Sequence, residues 1–172
     1  MGNSAASQHD RNQADPRWLE WVAPERMDAE IARLLAEVPG MPEDPWTFEA
    51  LEHVGRFAID RFATTAEIMS DEDNWPLADR IARYFGEVFH RLFESKWENR
   101  PEEYANIARY PDFGPTVTNE WTPVPLAVGT ILTAIIHDQS TRRLSIIWRW
   151  RVKHYPEWVT AGRPPRIEYL LT

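Results

Sequence analysis

Apolar residues recur at three- and four-residue steps through most of this 172-residue chain, and prolines mark where several of these runs begin. Such spacing turns one side of a helix toward a core and leaves the other in water. Proline suits a helix start because its fixed φ matches the first turn, where its missing N–H would have no partner anyway. Asp15-Pro16 opens a short turn through Trp18, Leu19 and Val22. Pro24 opens "PERMDAEIARLLAEV", whose Met27, Ile31, Leu34, Leu35 and Val38 share a face, and "PGMP" ends it. Asp44-Pro45 repeats the signal. From there to about Met69 the period stays helical through Phe48, Leu51, Val54, Ala58 and Phe62. Phe57, Ile59 and Ile68 widen that stripe, which predicts a central helix touched on more than one side.

"SDEDNWP" interrupts the pattern, and a helix over about 76–94 is predicted to turn Leu77, Ile81, Tyr84, Phe85, Val88 and Leu92 inward. Asp79, Arg83, Glu87 and Arg91 stand four apart on another face, a ladder worth about 0.2–0.5 kcal/mol per pair. Glu87 is expected to sit between Arg83 and Arg91, covered by Trp97 of the following strand. Gly86 removes a side chain in mid-helix, which lets a backbone or a tryptophan approach closely.

Residues 95–122 change character. "KWEN", "YPDFGP" and "PTVTNEWTP" alternate β-prone pieces with Pro, Gly and Asn, which reads as one or two short strands joined by loops. "PVPLAVGTILTAIIHD" is nearly all apolar, and its length favours a buried helix over about 125–137, with a strand as the alternative. "LSIIWRWRVK", residues 144–153, admits two readings. As a strand, Trp148 and Trp150 share a face opposite Arg149, Arg151 and Lys153; as a helix, Trp148 and Val152 point inward, with Arg149, Lys153 and Trp150 outward. The helical stripe continues to Tyr155, Trp158 and Val159, with Ser140 as a cap and Pro156 as a kink, so the helix is preferred. The expected class is α+β: a mainly helical single domain of four to five helices with a small antiparallel sheet around residues 95–120. Residues 1–15 read as a disordered tail and 16–172 as the globular domain, ending in an extended and then docked "GRPPRIEYLLT".

Composition removes several function classes. There is no cysteine, so disulfides, cysteine-based zinc sites and thiol nucleophiles are excluded. The first residues lack the basic and apolar regions of a signal peptide, and no apolar run approaches the ~20 residues of a membrane span. The cytoplasm is the expected compartment, with no membrane role. The net charge of −8 is uneven: residues 1–140 hold 25 acids against 12 bases, and residues 141–172 hold two against seven. An acidic body argues against nucleic-acid binding, which rests on neutralising phosphates, and is compatible with a basic protein partner.

Catalytic signatures are missing. The chain has no GxSxG, Walker loop, GxGxxG or HExxH, and no cofactor is expected. Glu87-x-x-His90 has the spacing of a carboxylate–histidine metal pair, and "EALEH" adds Glu49 and His53 on the preceding helix. These four residues define the alternative reading, a metal-assisted enzyme. The preferred reading is non-catalytic binding. Its candidate contact residues are the acids Asp71, Glu72 and Asp73, then Glu98, Glu102 and Glu103, with Trp150 as an exposed aromatic anchor.

"IARYFGEVFHRLFESKWENRP" followed by "YPDFGPTV" resembles a pattern found in small uncharacterised bacterial domains, in which an aromatic-x-Gly-Glu-x-x-x-Arg helix runs into a Trp-bearing strand and a Pro-rich turn. The matching positions are Tyr84, Gly86, Glu87, Arg91, Trp97, Asn99 and Pro101, about a quarter of the chain. Some of those domains resemble immunity proteins that neutralise toxins. The resemblance implies a binding module, and it brings no catalytic residues.

Overall fold

A computed structural model describes residues 2–104 and 113–165. The expected docked tail and the Tyr110–Asp112 part of the family pattern lie outside those residues. Eight α-helices and one short 3-10 helix (Pro101–Tyr104) are described: α1 (Gly2–Gln13), α2 (Pro16–Val22), α3 (Pro24–Glu37), α4 (Phe48–Arg61), α5 (Glu67–Ser70), α6 (Asn74–Leu92), α7 (Val128–Asp138) and α8 (Arg142–Thr160). Strands β1 (Lys96–Asn99), β2 (Pro115–Thr118) and β3 (Leu126–Ala127) form one antiparallel sheet in that order. The fold is mainly helical α+β, as the periodicity requires, with more helices among the described residues than the four or five expected.

The extra helices have local causes. The run expected over 44–69 breaks after Arg61, where Phe62 takes an extended conformation and caps α4, so α5 is a separate single turn. At the other end Thr47 caps α4, its hydroxyl accepting from Ala50 N at 3.2 Å, while Asp44 turns back onto Trp46 N. Ser140, expected to cap α8, precedes the actual cap residue Thr141 and accepts from Arg142 N at 3.2 Å.

The stretch expected to be a disordered tail is helical over Gly2–Gln13, and its end is tied to β1. Gln13 Nε2 donates to Asn99 O and Gln13 Oε1 accepts from Asn99 N, both at 2.9 Å, while Asn99 Nδ2 donates to Asn12 O at 2.7 Å. β1 is an edge strand, and the glutamine amide supplies the donor and acceptor that a further strand would otherwise offer. Local propensity carries no trace of such a long-range pairing.

The central position belongs to α6 rather than to α4. It packs against α3, α4, α5, α7 and β2, and Ile81, Ala82, Tyr84, Phe85, Val88 and Phe89 are all fully buried. Each such large apolar side chain contributes roughly 1.5–3 kcal/mol by leaving water. Gly86 makes the closest approach. A Cβ placed there would fall 2.0–2.9 Å from three carbons of the Trp97 ring, so glycine is what allows β1 to lie against the helix.

α8 is helical throughout, with Pro156 inside it. Leu144, Ile147, Trp148, Arg151, Tyr155 and Trp158 face the core, a set spaced by threes and fours. Val152, expected inside, is 48% exposed, and Arg151 takes the inward place. Arg149 and Lys153 are exposed and Trp150 is 41% exposed, as the helical reading predicts.

Candidate functional site

The ladder on α6 is built differently from its expected form. Glu87 is buried and accepts from Arg91 Nε and Trp97 Nε1, both at 2.9 Å, with His90 Nδ1 at 3.3 Å. Burial alone would raise its carboxyl pKa, but the hydrogen bonds from His90, Trp97 and Arg91 outweigh it and bring the group down to about 2. Arg83 does not pair with Glu87. It turns to Asp79 at 2.7 Å and to Trp21 O at 2.6 Å, and it lies 4.0 Å over the Trp21 ring. Trp21 Nε1 donates to the same Asp79 at 2.9 Å. A buried guanidinium prefers the site where a carboxylate, a carbonyl and an aromatic face converge.

The residues of the metal reading are spent elsewhere. His53 Nε2 meets Pro39 O at 2.7 Å, and Glu49 is exposed on α4. Glu87 and His90 face Arg91 and Trp97. Among the described residues no group of three or more His, Asp or Glu could hold a metal ion.

The acidic candidates divide into separate places. Asp71, Glu72 and Asp73 are exposed in the turn before α6, where Asp71 Oδ1 accepts from Asp73 N and, among the described residues, no cation pairs with the three. Trp97 of β1 meets α6 at Gly86, 12 residues and therefore about 18 Å further along the axis. Glu98 is half-buried beside it. Glu102 and Glu103 flank Arg100, at 3.2 and 3.7 Å.

Glu103 and Trp150 line two different cavities that adjoin between α8 and residues 122–127. Two cavities of about 600 and 230 Å³ share the walls Val124, Leu126, Ile146 and Ile147. The larger also has Glu103, Asp138, Arg142 and Arg143 on its lining; the smaller has Thr122, Trp150 and Arg151. Hydrogen-bonded turns hold the loop side: Asn119 Oδ1 accepts from Thr122 N at 3.0 Å, and Thr122 Oγ1 from Val124 N at 3.2 Å. They leave Val124 62% exposed, across from the half-exposed Ile146. Trp150 stacks on the buried Trp121 with ring centroids 5.6 Å apart, and the His154 ring lies 4.6 Å from its own. Trp121 Nε1 donates to Phe93 O at 3.2 Å, which pins the stack to the core.

Arg151 is the residue that sequence reasoning missed. It is 1% exposed, its Nη1 has no hydrogen-bond partner, and among the described residues it forms no ion pair. Its guanidinium carbon lies 5.2 Å from the Phe89 ring and 5.3 Å from Trp121. Burial pulls its pKa down to about 9, so it remains charged at neutral pH. Two aromatic faces return about 0.5–2 kcal/mol each, against several kcal/mol for desolvating an ion, so this charge is held at a net cost. The signal was present in the spacing: Arg151 stands seven residues after Leu144 and seven before Trp158, both buried.

No helix among the described residues is long and apolar enough to cross a membrane. No family model, no curated protein and no solved structure matches this chain.

Proposed function

We propose that this chain is a non-catalytic protein-binding module whose contact surface is the groove between α8 and residues 122–127. The observation that carries the reading is the exposed apolar row of Val124, Ile146 and Trp150, with Trp150 fixed in orientation by its stack on Trp121. A rigid aromatic loses little entropy on binding, and contiguous exposed apolar groups mark contact sites. Neutralisation of a toxin in the cytoplasm is the most concrete form of the proposal, and the resemblance around α6 and β1 supports it.

A second surface has an observation of its own. Asp71, Glu72 and Asp73 are exposed and carry no ion pair among the described residues, which supports a basic partner meeting that turn. Occlusion by acids and anchoring by Trp150 then involve separate parts of the molecule.

Photo-crosslinking in the native host distinguishes the two. With benzoylphenylalanine at position 150 or at position 72, one adduct of defined mass is expected from 150, competed by excess wild-type protein and not by excess Trp150→Asp. Adducts from 72 alone move the interface to the acidic turn. No competed adduct from either position refutes protein binding through both surfaces.

A further inference from the structure

A charged side chain in an apolar wall asks what it faces. The smaller cavity is lined by Val124, Leu126, Ile146, Ile147 and Trp150, and Thr122 and Arg151 are the residues of its lining with a hydroxyl or a charge. No acid lines it, and Glu103 and Asp138 belong to the larger cavity next to it. Arg151 is 1% exposed, has Nη1 without an acceptor, and forms no hydrogen bond or ion pair among the described residues. Buried polar groups in folded proteins almost always find partners, so an unpartnered one on a residue that lines a cavity marks a place for a ligand group. A guanidinium presents a planar fork of donors that fits a carboxylate through two parallel hydrogen bonds. The Thr122 hydroxyl accepts from Val124 N and keeps its own proton to donate.

We propose that this cavity binds a small apolar monocarboxylate, a medium-chain fatty acid being the type, with its carboxylate on Arg151 and its chain along Ile146, Ile147 and Leu126. One cation with no second base in the lining selects a monoanion over a phosphate dianion. The volume of about 230 Å³ is below the roughly 300–1,000 Å³ of drug-sized ligand sites, so it takes a head group and the first carbons. The four walls shared with the larger cavity let the chain continue out of it. Charge and hydrophobicity then act on the same molecule: the acid relieves the unpaired guanidinium, and the chain covers exposed Ile146 and Val124. The proposal does not rest on a protein partner, because a free acid would occupy the cavity in the isolated chain.

The test is a titration of the purified full chain with sodium octanoate and, separately, with 1-octanol, read on the Trp150 indole N–H resonance identified by its loss in Trp150→Phe. Octanoate is expected to saturate the shift at a concentration at least tenfold below octanol. Arg151→Met is expected to bring the two within twofold. Equal binding of octanoate and octanol to the wild-type chain would overturn the proposal without any variant, so it stays testable if Arg151→Met does not fold. Acetate competing as well as octanoate would reduce the site to a bare anion site and refute the role of the walls. A peptide ending in a free C-terminal leucine that binds more tightly than octanoate would overturn the assignment to a free acid.

Discussion

Gly86→Ala isolates the contact between α6 and β1. In an open helix this change would stabilise by up to about 1 kcal/mol, because alanine has the better helix propensity. Here the added methyl would lie 2.0–2.9 Å from three carbons of the Trp97 ring, and the contacts of that half-buried ring oppose its displacement. It meets Trp21 edge-on at 5.3 Å between centroids, faces His90 at 6.5 Å, and is held by its indole N–H on Glu87 Oε2 at 2.9 Å. Overpacking of this kind costs about 1–3 kcal/mol, and losing a hydrogen bond to a charged acceptor about 1.5–3. After the propensity gain, a net destabilisation of about 2–4 kcal/mol is expected. Urea unfolding followed by circular dichroism measures it, provided the m-value is unchanged. The decisive comparison repeats Gly86→Ala in a Trp97→Ala background, where the clash no longer exists and the substitution should be neutral or stabilising. Strict additivity of the two changes, within about 0.5 kcal/mol, would show that the ring does not constrain position 86 and would refute the reasoning.

Glu87 makes stability depend on acid. Its folded pKa, lowered from 4.5 to about 2, means that its contribution is complete above pH 4.5 and is lost as pH falls toward 2. With partial solvent screening this amounts to about 1–2 kcal/mol, and Glu87→Gln should flatten the stability–pH curve over that window; an unchanged curve would contradict it. Arg83→Met should destabilise by about 1–3 kcal/mol in a denaturation series, because it removes the bonds of Arg83 to Asp79 and Trp21 O and its place over the Trp21 ring; a loss under about 0.5 kcal/mol would argue that these contacts contribute nothing net. In α8, Trp148→Ala should cost about 3 kcal/mol, since its ring lies 5.5–5.6 Å from those of Phe48 and Phe93, whereas Val152→Ala should stay within about 0.5. Arg151→Met should be neutral or raise stability by about 1–4 kcal/mol, because it removes an unpaired buried charge. A calorimetric melting temperature well below the wild-type value would show instead that the guanidinium is satisfied within the fold.

Periodicity and punctuation by themselves determined most of the helices. Pro16 and Pro24 mark true starts, the α3 and α6 stripes are buried where the spacing places them except at Leu92, which is exposed at the end of α6, and α8 is a helix because its stripe holds a helical period over some fifteen residues. Gly86 was also legible, since a missing side chain in a buried mid-helix position has few uses other than close approach. These features are local, and local sterics and burial act on neighbours in sequence.

Tertiary packing decided the rest. Arg151 and Val152 both lie at helical spacing from Trp148, and hydropathy favours the valine; the Phe89 and Trp121 faces next to the arginine reverse that choice. Arg83 leaves Glu87 for Asp79 because Trp21, from a helix 62 residues earlier, adds a ring and a carbonyl there. Glu103 and Trp150 line adjoining cavities only because residues 124–127 and α8 bring distant segments together. In each case a charge chose among partners of nearly equal local merit, and the energy that separates them comes from residues far away in the chain.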